Sequence, residues 1–281
     1  MGKYEVLAPA GSLDALKDMI AEKVDAIYVG LMGCSSRPSK CDMSMQEVSE
    51  AVGICHESGV KLYVAINANI RNSDVDKVLS DIYKMDEMGV DAVILSELAL
   101  AAALQGKLRN AVIHASTLMG IYNIDSVRLL KRLGVVRVIF YANLYFDEMA
   151  DIINAVPDME YELVAEGGTC FNDIRQCRLP HGVKDKEHIL CCRKKYALIE
   201  NGEFLSEAKP ISEYPTRTAE IVGLYMAVGI TSFKIEGRTV SSAERIPMIH
   251  TLRENINKFQ QSIVPRKSFL HYFVRSGLEM R

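Results

Sequence analysis

The stretch EVLAPAGSLDALKDMIAEKVDAIYVG, residues 5–30, has the pattern of a strand, a helix and a second strand. Its two ends are short apolar runs, which are typical of strands that are buried on both faces. Ser12 is a favourable N-cap residue. After it, Leu13, Leu16 and Ile20 recur at the spacing of one helix face. The stretch therefore predicts two parallel strands joined by a helix that covers them.

The same unit recurs along the chain, where KVDAIYVG, GVDAVILS, GVVRVIFYA and GITSFKIEG each lead from a helix end or turn into an apolar run. Eight strands are predicted, over residues 4–9, 25–30, 60–67, 90–96, 111–116, 135–142, 160–166 and 231–237. Eight βα units in about 250 residues are typical of a (β/α)8 barrel. The rival fold is a doubly wound open sheet, but no G-x-G-x-x-G motif follows the first strand.

The domain organisation follows from the strand count. We predict one barrel domain over residues 1–262 and an irregular C-terminal extension over residues 263–281. A helix over residues 216–228 is predicted to precede the eighth strand.

Composition and charge narrow the function classes. The chain has 281 residues and a formal net charge of -3, so its surface as a whole does not attract nucleic acid or an anionic membrane. The N-terminus lacks the apolar stretch of a signal peptide. No run approaches the roughly 18 uncharged apolar residues of a membrane helix. We therefore expect a cytoplasmic protein without a membrane partner.

In a barrel of this kind the functional site lies at the carboxyl ends of the strands. The residues that the predicted strands deliver there are Pro9, Ala10, Gly11, Gly30, Cys34, Asn67, Asn69, Ser96, Glu97, His114, Ser116, Thr117, Tyr141, Asn143, Glu166, Glu236 and Arg238.

Five of these residues are the predicted site. Glu236 and Arg238 could bind or polarise a carboxylate substrate, because arginine offers two parallel donors. They could equally pair with each other or with neighbouring strand ends. His114 could donate a proton, or it could point into the barrel as a core histidine. Asn67 and Ser116 are predicted to bind the substrate, since an amide inside an aliphatic barrel must find partners.

Four of the seven cysteines fall within a short polar segment, at Cys170, Cys177, Cys191 and Cys192. A cytosolic chain keeps its thiols reduced, so metal binding or redox chemistry is a better first interpretation than disulfides. The spacing, C-x6-C-x13-C-C, contains no C-x2-C pair and departs from zinc ribbons. Cys34, in the predicted loop after the second strand, is a fifth candidate ligand at the same face.

The charge around the thiols favours an iron-sulfur cluster over zinc, with unligated surface thiols as a third reading. Five cations flank the cysteines, and cationic neighbours favour thiolates: Arg175, Arg178, Arg193, Lys194 and Lys195. The run of three at residues 193–195 could contact RNA or an anionic small molecule. It lacks interleaved aromatic residues, so a solvated or cluster-balancing role is preferred. Cys55 is predicted to be a small buried apolar residue and Cys41 a loop residue without a role.

Several motifs resemble one known family. They are VLAPAGSLDALKDMIAEKVDAIYVGL, HAST with Asn123 shortly after it, LKRLGVVRVI and FKIEGR. In order and spacing they are similar to the collagenase-like peptidase family over residues 4–262. Members of that family hydroxylate ubiquinone precursors without oxygen, or hydroxylate a base in tRNA or rRNA. The resemblance implies a barrel with a 4Fe-4S cluster and prephenate as the hydroxyl donor.

The resemblance also implies the ligand set. Cys170 and Cys177 match the family's pair after strand seven, and Cys192, followed by RKKY, matches a later ligand. The fourth ligand is either Cys34 or Cys191, and we favour Cys191 because it is already tethered to a ligand loop. The chain departs from the family pattern at Ala142-Asn143, where Arg-Glu is usual.

The sequence is compatible with three functions. The first is an oxygen-independent hydroxylase, or a subunit of one, acting on a small molecule or on RNA. The second is a non-catalytic, cluster-bearing partner. The third is a peptidase, as the family name implies, although the chain has neither H-E-x-x-H nor G-x-S-x-G. A hetero-oligomer with a family paralogue is expected.

Overall fold

A computed structural model describes residues 4–36, 41–140, 144–169, 195–205, 209–210 and 214–261. Eight parallel strands form a closed barrel, in which β1 pairs with both β2 and β8. They are β1 Glu5–Pro9, β2 Ala26–Leu31, β3 Lys61–Ile66, β4 Ala92–Leu95, β5 Val112–Ala115, β6 Val135–Phe140, β7 Glu160–Thr169 and β8 Ser232–Ile235. The predicted (β/α)8 barrel is confirmed.

A helix follows each strand on the outside of the barrel. The helices are α1 Leu13–Ala21, α2 Met45–Glu57, α3 Val75–Met88, α4 Leu98–Leu104, α5 Ile124–Arg132, α6 Phe146–Ala155, α7 Val222–Val228 and α8 Ser242–Gln261. Ser12 caps α1 as predicted, because its side chain accepts a hydrogen bond from the backbone N–H of Ala15. Within the described part of the chain, no helix is long and apolar enough to cross a membrane.

Two apolar clusters hold the layers together. The larger cluster lies between the sheet and the helices. The smaller one fills the middle of the barrel and comprises Leu7, Ala26, Tyr28, Tyr63, Ala65, Ala92, Ile94, Ile139 and Val164. Burying these side chains on both faces of each strand is the main favourable contribution to this fold.

The amino-terminal end of the barrel interior is polar. Arg137 donates from Nη1 to Glu162 at 3.1 Å and from Nη2 to Glu160 at 2.8 Å, and it also pairs with Glu5. Ser232 donates to Glu5 at 2.8 Å. Burial opposes the charge of Arg137, but the nearby carboxylates hold its pKa above the usual value. This network pairs the buried charge of Arg137 with carboxylates far from the mouth, although Oε1 of Glu162 has no hydrogen-bond partner among the described residues.

The structure corrects one prediction near the end of the barrel. Residues 216–228 are predicted as one helix, but Tyr214–Arg217 is a strand and α7 begins only at Val222. The strand pairs antiparallel with the extension of β7 that reaches Thr169. Sequence periodicity does not reveal such a long-range pairing. The predicted C-terminal extension lies outside the described residues.

Candidate functional site

The loops after β2 and β8 meet at the carboxyl-end mouth of the barrel. Arg238 crosses from the β8 loop and donates from Nη1 to Oδ1 of Asp42 at 2.6 Å. Its Nη2 donates to the hydroxyl of Ser35 at 2.6 Å. Gly30, at the end of β2, makes room for this arrangement, because a Cβ there would overlap the guanidinium. Arg238 therefore pairs with a neighbouring strand end, which is one of the two alternatives left open by the sequence.

Glu236 takes a different position. Its backbone N–H donates to the carbonyl of Glu166 at 2.7 Å, and its side chain is half-buried at the mouth. The side chain lies across Gly167, where an added Cβ would be 2.7 Å from the Cβ of Glu236. Among the described residues, the carboxylate has no hydrogen-bond or ion-pair partner. It is therefore positioned to accept a hydrogen bond from a ligand.

Lys234 was not among the residues predicted for the site. It lies on the inward face of β8, two residues before Glu236 and deeper in the barrel. Its Nζ is 3.9 Å from the ring centroid of Tyr28 and 3.8 Å from Oε1 of Glu162. Burial lowers its pKa, although Glu162 and Glu236 act in the opposite direction. The alternation Lys-Ile-Glu in the motif FKIEGR is the sequence signal that places it there.

His114 lies inside the barrel, below the mouth, with 2% of its surface exposed. Its ring contacts Tyr63 edge to face, with the centroids 4.9 Å apart. Burial and the charges of Arg137 and Lys234 lower its pKa well below the usual value, so the ring is neutral. Its Nδ1 has no partner among the described residues. The location agrees with a core histidine, and a catalytic role stays a prediction.

Asn67 and Ser116 hold loops at the mouth. Asn67 accepts a hydrogen bond from the backbone N–H of Ser36 at 2.9 Å, and its own N–H donates to the carbonyl of Cys34 at 3.0 Å. The hydroxyl of Ser116 accepts from the N–H of Leu118 at 3.2 Å and starts a short 3-10 turn. Both side chains thus have structural contacts, and their binding of a substrate stays a prediction.

Of the five candidate thiols, Cys34 is the one within the described residues. It lies in the loop after β2, but its side chain is 3% exposed and packs in the apolar cluster between sheet and helices. Burial raises the pKa of this thiol, with Lys77 acting against the shift. Its surroundings fit a metal-ligating thiolate poorly. The other predicted ligands lie outside the described residues, as do two predicted mouth residues: Cys170, Cys177, Cys191, Cys192, Tyr141 and Asn143.

The two remaining described thiols differ from each other. Cys55 is fully buried on α2, and burial raises its pKa to about 12, as expected of a core residue. Cys41 is half-buried at the mouth, where its Cβ is 2.8 Å from the position that a Cβ on Gly11 would occupy. Within the described ranges, no group of three or more His, Cys, Asp or Glu side chains could hold a metal ion.

Comparison with known proteins identifies the relatives of this chain. The model of peptidase family U32 matches residues 11–270. The tRNA hydroxylation protein P of Escherichia coli is 29% identical over 208 residues, which are 72% of this chain and 46% of that protein. The chain therefore spans less than half the length of this relative.

Two further relatives show the range of names in the group. The 23S rRNA 5-hydroxycytidine C2501 synthase of Escherichia coli is 26% identical over 84% of this chain and 36% of its own length. A collagenase of Porphyromonas gingivalis is 24% identical over 84% of this chain and 61% of its own length. Among solved structures, a U32 peptidase superposes with a TM-score of 0.56 at 12% identity, over 84% of this chain and 94% of that one. The structural likeness supports the barrel fold alone.

Proposed function

The chain belongs to peptidase family U32, and we propose that it is an iron-sulfur hydroxylase that acts on an RNA base without molecular oxygen. Relatives that carry hydroxylation of tRNA or rRNA in their names support the reaction class and the substrate. The observation that carries the proposal is Glu236, whose carboxylate has no partner in the described part of the mouth.

Glu236 is the residue that we assign to the reacting base. A carboxylate accepts hydrogen bonds from the amino or imino N–H groups of a base, and it can take up a proton at its oxygen. Arg238 acts on the site indirectly, because its contacts with Asp42 and Ser35 keep the β8 loop in place. Lys234 contributes a positive charge beneath the mouth.

The same proposal includes a 4Fe-4S cluster on Cys170, Cys177, Cys191 and Cys192. Four thiolates are the usual ligand set, and a bound cluster would supply electron transfer. The poor fit of Cys34 as a ligand favours Cys191 as the fourth thiolate. Prephenate is the proposed hydroxyl donor and a family paralogue the proposed partner, both from the family resemblance.

Analysis of the metal tests the cofactor. Protein purified without oxygen should contain iron and acid-labile sulfide in near-equal amounts, and its visible absorbance should bleach in air. Stoichiometric zinc without iron would contradict the cluster. A pull-down from the native host should return a family paralogue, and full activity of the isolated chain without one would contradict the hetero-oligomer.

Analysis of nucleosides tests the reaction. RNA from a host that lacks the gene should lose one hydroxylated nucleoside, as measured by mass spectrometry, and the intact gene should restore it. A gene encoding Glu236→Gln should not restore it. An unchanged nucleoside profile after gene deletion would contradict RNA as the substrate.

A peptidase is the weaker alternative. The name of one relative supports it. Cys34 and Cys55, however, are buried thiols whose pKa values are raised by burial, which is unlike an activated cysteine nucleophile. Release of peptides from a collagen-derived substrate by the anaerobically purified protein would support this alternative.

A further inference from the structure

Arg245, in the first turn of α8, is a buried cation that has no counter-ion among the described residues. It is 7% exposed, and its Nε has no hydrogen-bond partner among the described residues. Nη1 of Arg245 donates a hydrogen bond to the sulfur of Met248 at 3.2 Å, and a thioether sulfur is a weak acceptor. No carboxylate lies within 4.0 Å of its guanidinium in the part of the chain that the structure describes.

Arg137 is also buried, but its charge is compensated by ion pairs. Arg137 is 5% exposed and forms ion pairs with Glu5, Glu160 and Glu162. A buried charge without such partners is costly, because it loses its hydration and gains no compensating interaction. The described part of the fold meets this requirement at Arg137 but not at Arg245.

The guanidinium of Arg245 points towards the mouth end of the helix. Helical side chains lean towards the helix N-terminus. Here the guanidinium packs on the backbone of Gly237, just after β8, where a Cβ would overlap it. Glycine at this position also permits the positive φ of 114°. Arg245 therefore contacts the loop that joins β8 to α8.

Free backbone donors lie at the same end of the helix. The N–H of Glu244 donates to the carbonyl of Ser241 at 3.2 Å, whereas those of Ser242 and Ala243 have no acceptor within the described ranges. The carboxylate of Glu244 accepts a hydrogen bond from the hydroxyl of Ser241 at 2.9 Å. Within the described residues, the first turn of this twenty-residue helix thus combines two unpaired backbone N–H groups with a guanidinium that has no acidic partner and an unpaired Nε.

We propose that Arg245 and the first turn of α8 bind a phosphate group. Helix N-termini favour anions, and barrels of this class often bind phosphate at the loops after strands seven and eight beside a helix N-terminus. Arginine adds two parallel donors that match phosphate oxygens. Burial lowers the pKa of Arg245, whereas Tyr28, Glu244, Glu236 and Glu166 act in the opposite direction. Within the described residues, none of these three carboxylates reaches ion-pair distance from the guanidinium.

The experiment is titration of the full chain with inorganic phosphate, followed by calorimetry and by thermal unfolding. Saturable binding should stabilise the folded protein. Arg245→Met should weaken binding by about tenfold or more, and Arg245→Lys by less, because lysine keeps the charge but loses the fork. Arg253→Met is the matched control on the same helix, since Arg253 is paired with Asp25, and it should leave the affinity unchanged.

Hydrogen exchange of the unaltered protein keeps the proposal testable if Arg245→Met does not fold. Bound phosphate should slow exchange of the amides of Ser242 and Ala243. Equal phosphate affinity of the unaltered protein and the Arg245 variants, or no saturable binding, would overturn the proposal. Neither measurement needs the cluster, a partner or turnover, so failure here is distinct from failure of the proposed hydroxylation.

A competition experiment identifies the source of the phosphate. If a single-stranded oligoribonucleotide displaces inorganic phosphate, and does so less well from Arg245→Lys, the site binds the backbone of RNA. If a small phosphate monoester displaces it and the oligoribonucleotide does not, the site binds a small phosphorylated molecule. Either result supports a phosphate site.

Discussion

Arg238 Nη1 and Asp42 Oδ1 lie 2.6 Å apart, although the two residues are separated by 196 positions in the sequence. The ion pair joins the loop after β8 to the loop after β2, and so passes over the end of β1, which lies between them. The side chain of Asp42 is 2% exposed. The attraction within a pair so well shielded from water is screened less than in a surface pair, and the loss of either partner would leave a buried charge unpaired.

The first prediction concerns Gly30, which lies under this ion pair. Gly30→Ala should lower the free energy of unfolding by about 1–3 kcal/mol, the usual cost of overpacking. The reason is that the added Cβ would overlap the guanidinium of Arg238, and it would lie close to Asp42 as well. Denaturant unfolding followed by circular dichroism measures the change.

Gly53→Ala is the matched control for Gly30→Ala. Gly53 is exposed within α2, and a Cβ there meets no atom within 4 Å. Its replacement should stabilise the protein by roughly 0.5–1 kcal/mol, because alanine is the better helix former. Equal effects of the two variants would contradict the interpretation of Gly30.

The second prediction separates function from stability at Glu236. Because its carboxylate has no described partner, Glu236→Gln should change the free energy of unfolding by less than about 0.5 kcal/mol. If Glu236 takes up a proton from the base, the hydroxylation rate should fall by about 100-fold or more. Unfolding curves and nucleoside analysis of the same preparation provide both values.

Asp42→Asn serves as the contrasting variant. It removes the charge that holds Arg238, so it should destabilise the protein by roughly 1.5–3 kcal/mol, the range for hydrogen bonds to charged groups. If instead Glu236→Gln were the more destabilising of the two, Glu236 would be a structural residue and the proposed role would be wrong.

The barrel could be predicted from sequence because each strand is a local apolar run. The run at residues 26–31, for example, is buried at every position, so its composition alone reveals the strand. The strand Tyr214–Arg217 could not be predicted, since it exists by pairing with the end of β7. Its residues carry no periodic apolar signal of their own.

The positions of the candidate residues in the barrel could be predicted, but their partners could not. Glu236 and Arg238 follow β8 at the mouth, whereas His114 lies inside the barrel as the core-histidine alternative has it. The partner of Arg238 depends on the path of the β2 loop, which no spacing in the sequence specifies. Lys234 and Arg245 were missed because a buried cation is identified by its surroundings rather than by its neighbours in sequence.

The third prediction is a pH dependence that arises from His114. Its pKa in the folded state lies well below 6.5, so the unfolded chain binds a proton near pH 6.5 that the folded chain does not. The free energy of unfolding should therefore fall as the pH drops below 6.5, by up to about 1.4 kcal/mol per pH unit. His114→Phe should reduce this slope.

Tyr63→Phe is the control for the pH experiment. It alters the ring that contacts His114 and removes the hydrogen bond from the Tyr63 hydroxyl to Glu5, but it leaves the imidazole in place. Tyr63→Phe should lower the free energy of unfolding by about 1 kcal/mol at every pH tested, and the dependence of that free energy on pH should stay the same. An unchanged slope in His114→Phe would show that other groups cause the pH dependence.

The fourth prediction concerns the iron ligands. Replacing a thiolate ligand by serine puts a harder and far less acidic donor on iron, so the cluster should be lost or become labile. Cys170→Ser, Cys177→Ser and Cys192→Ser should each abolish the iron content of anaerobically purified protein. Cys55→Ser should leave the iron in place, because Cys55 is fully buried on α2.

Cys34 and Cys191 compete for the fourth ligand position, and serine variants of both decide between them. The thiol of Cys34 is 3% exposed within an apolar cluster, so it would have to leave its packing to reach a metal at the mouth. Cys34→Ser should therefore keep its iron and lose stability, by roughly 1–3 kcal/mol for a buried hydroxyl without a partner. Cys191→Ser should lose its iron. The opposite result would mean that the loop after β2 rearranges to place Cys34 on the cluster.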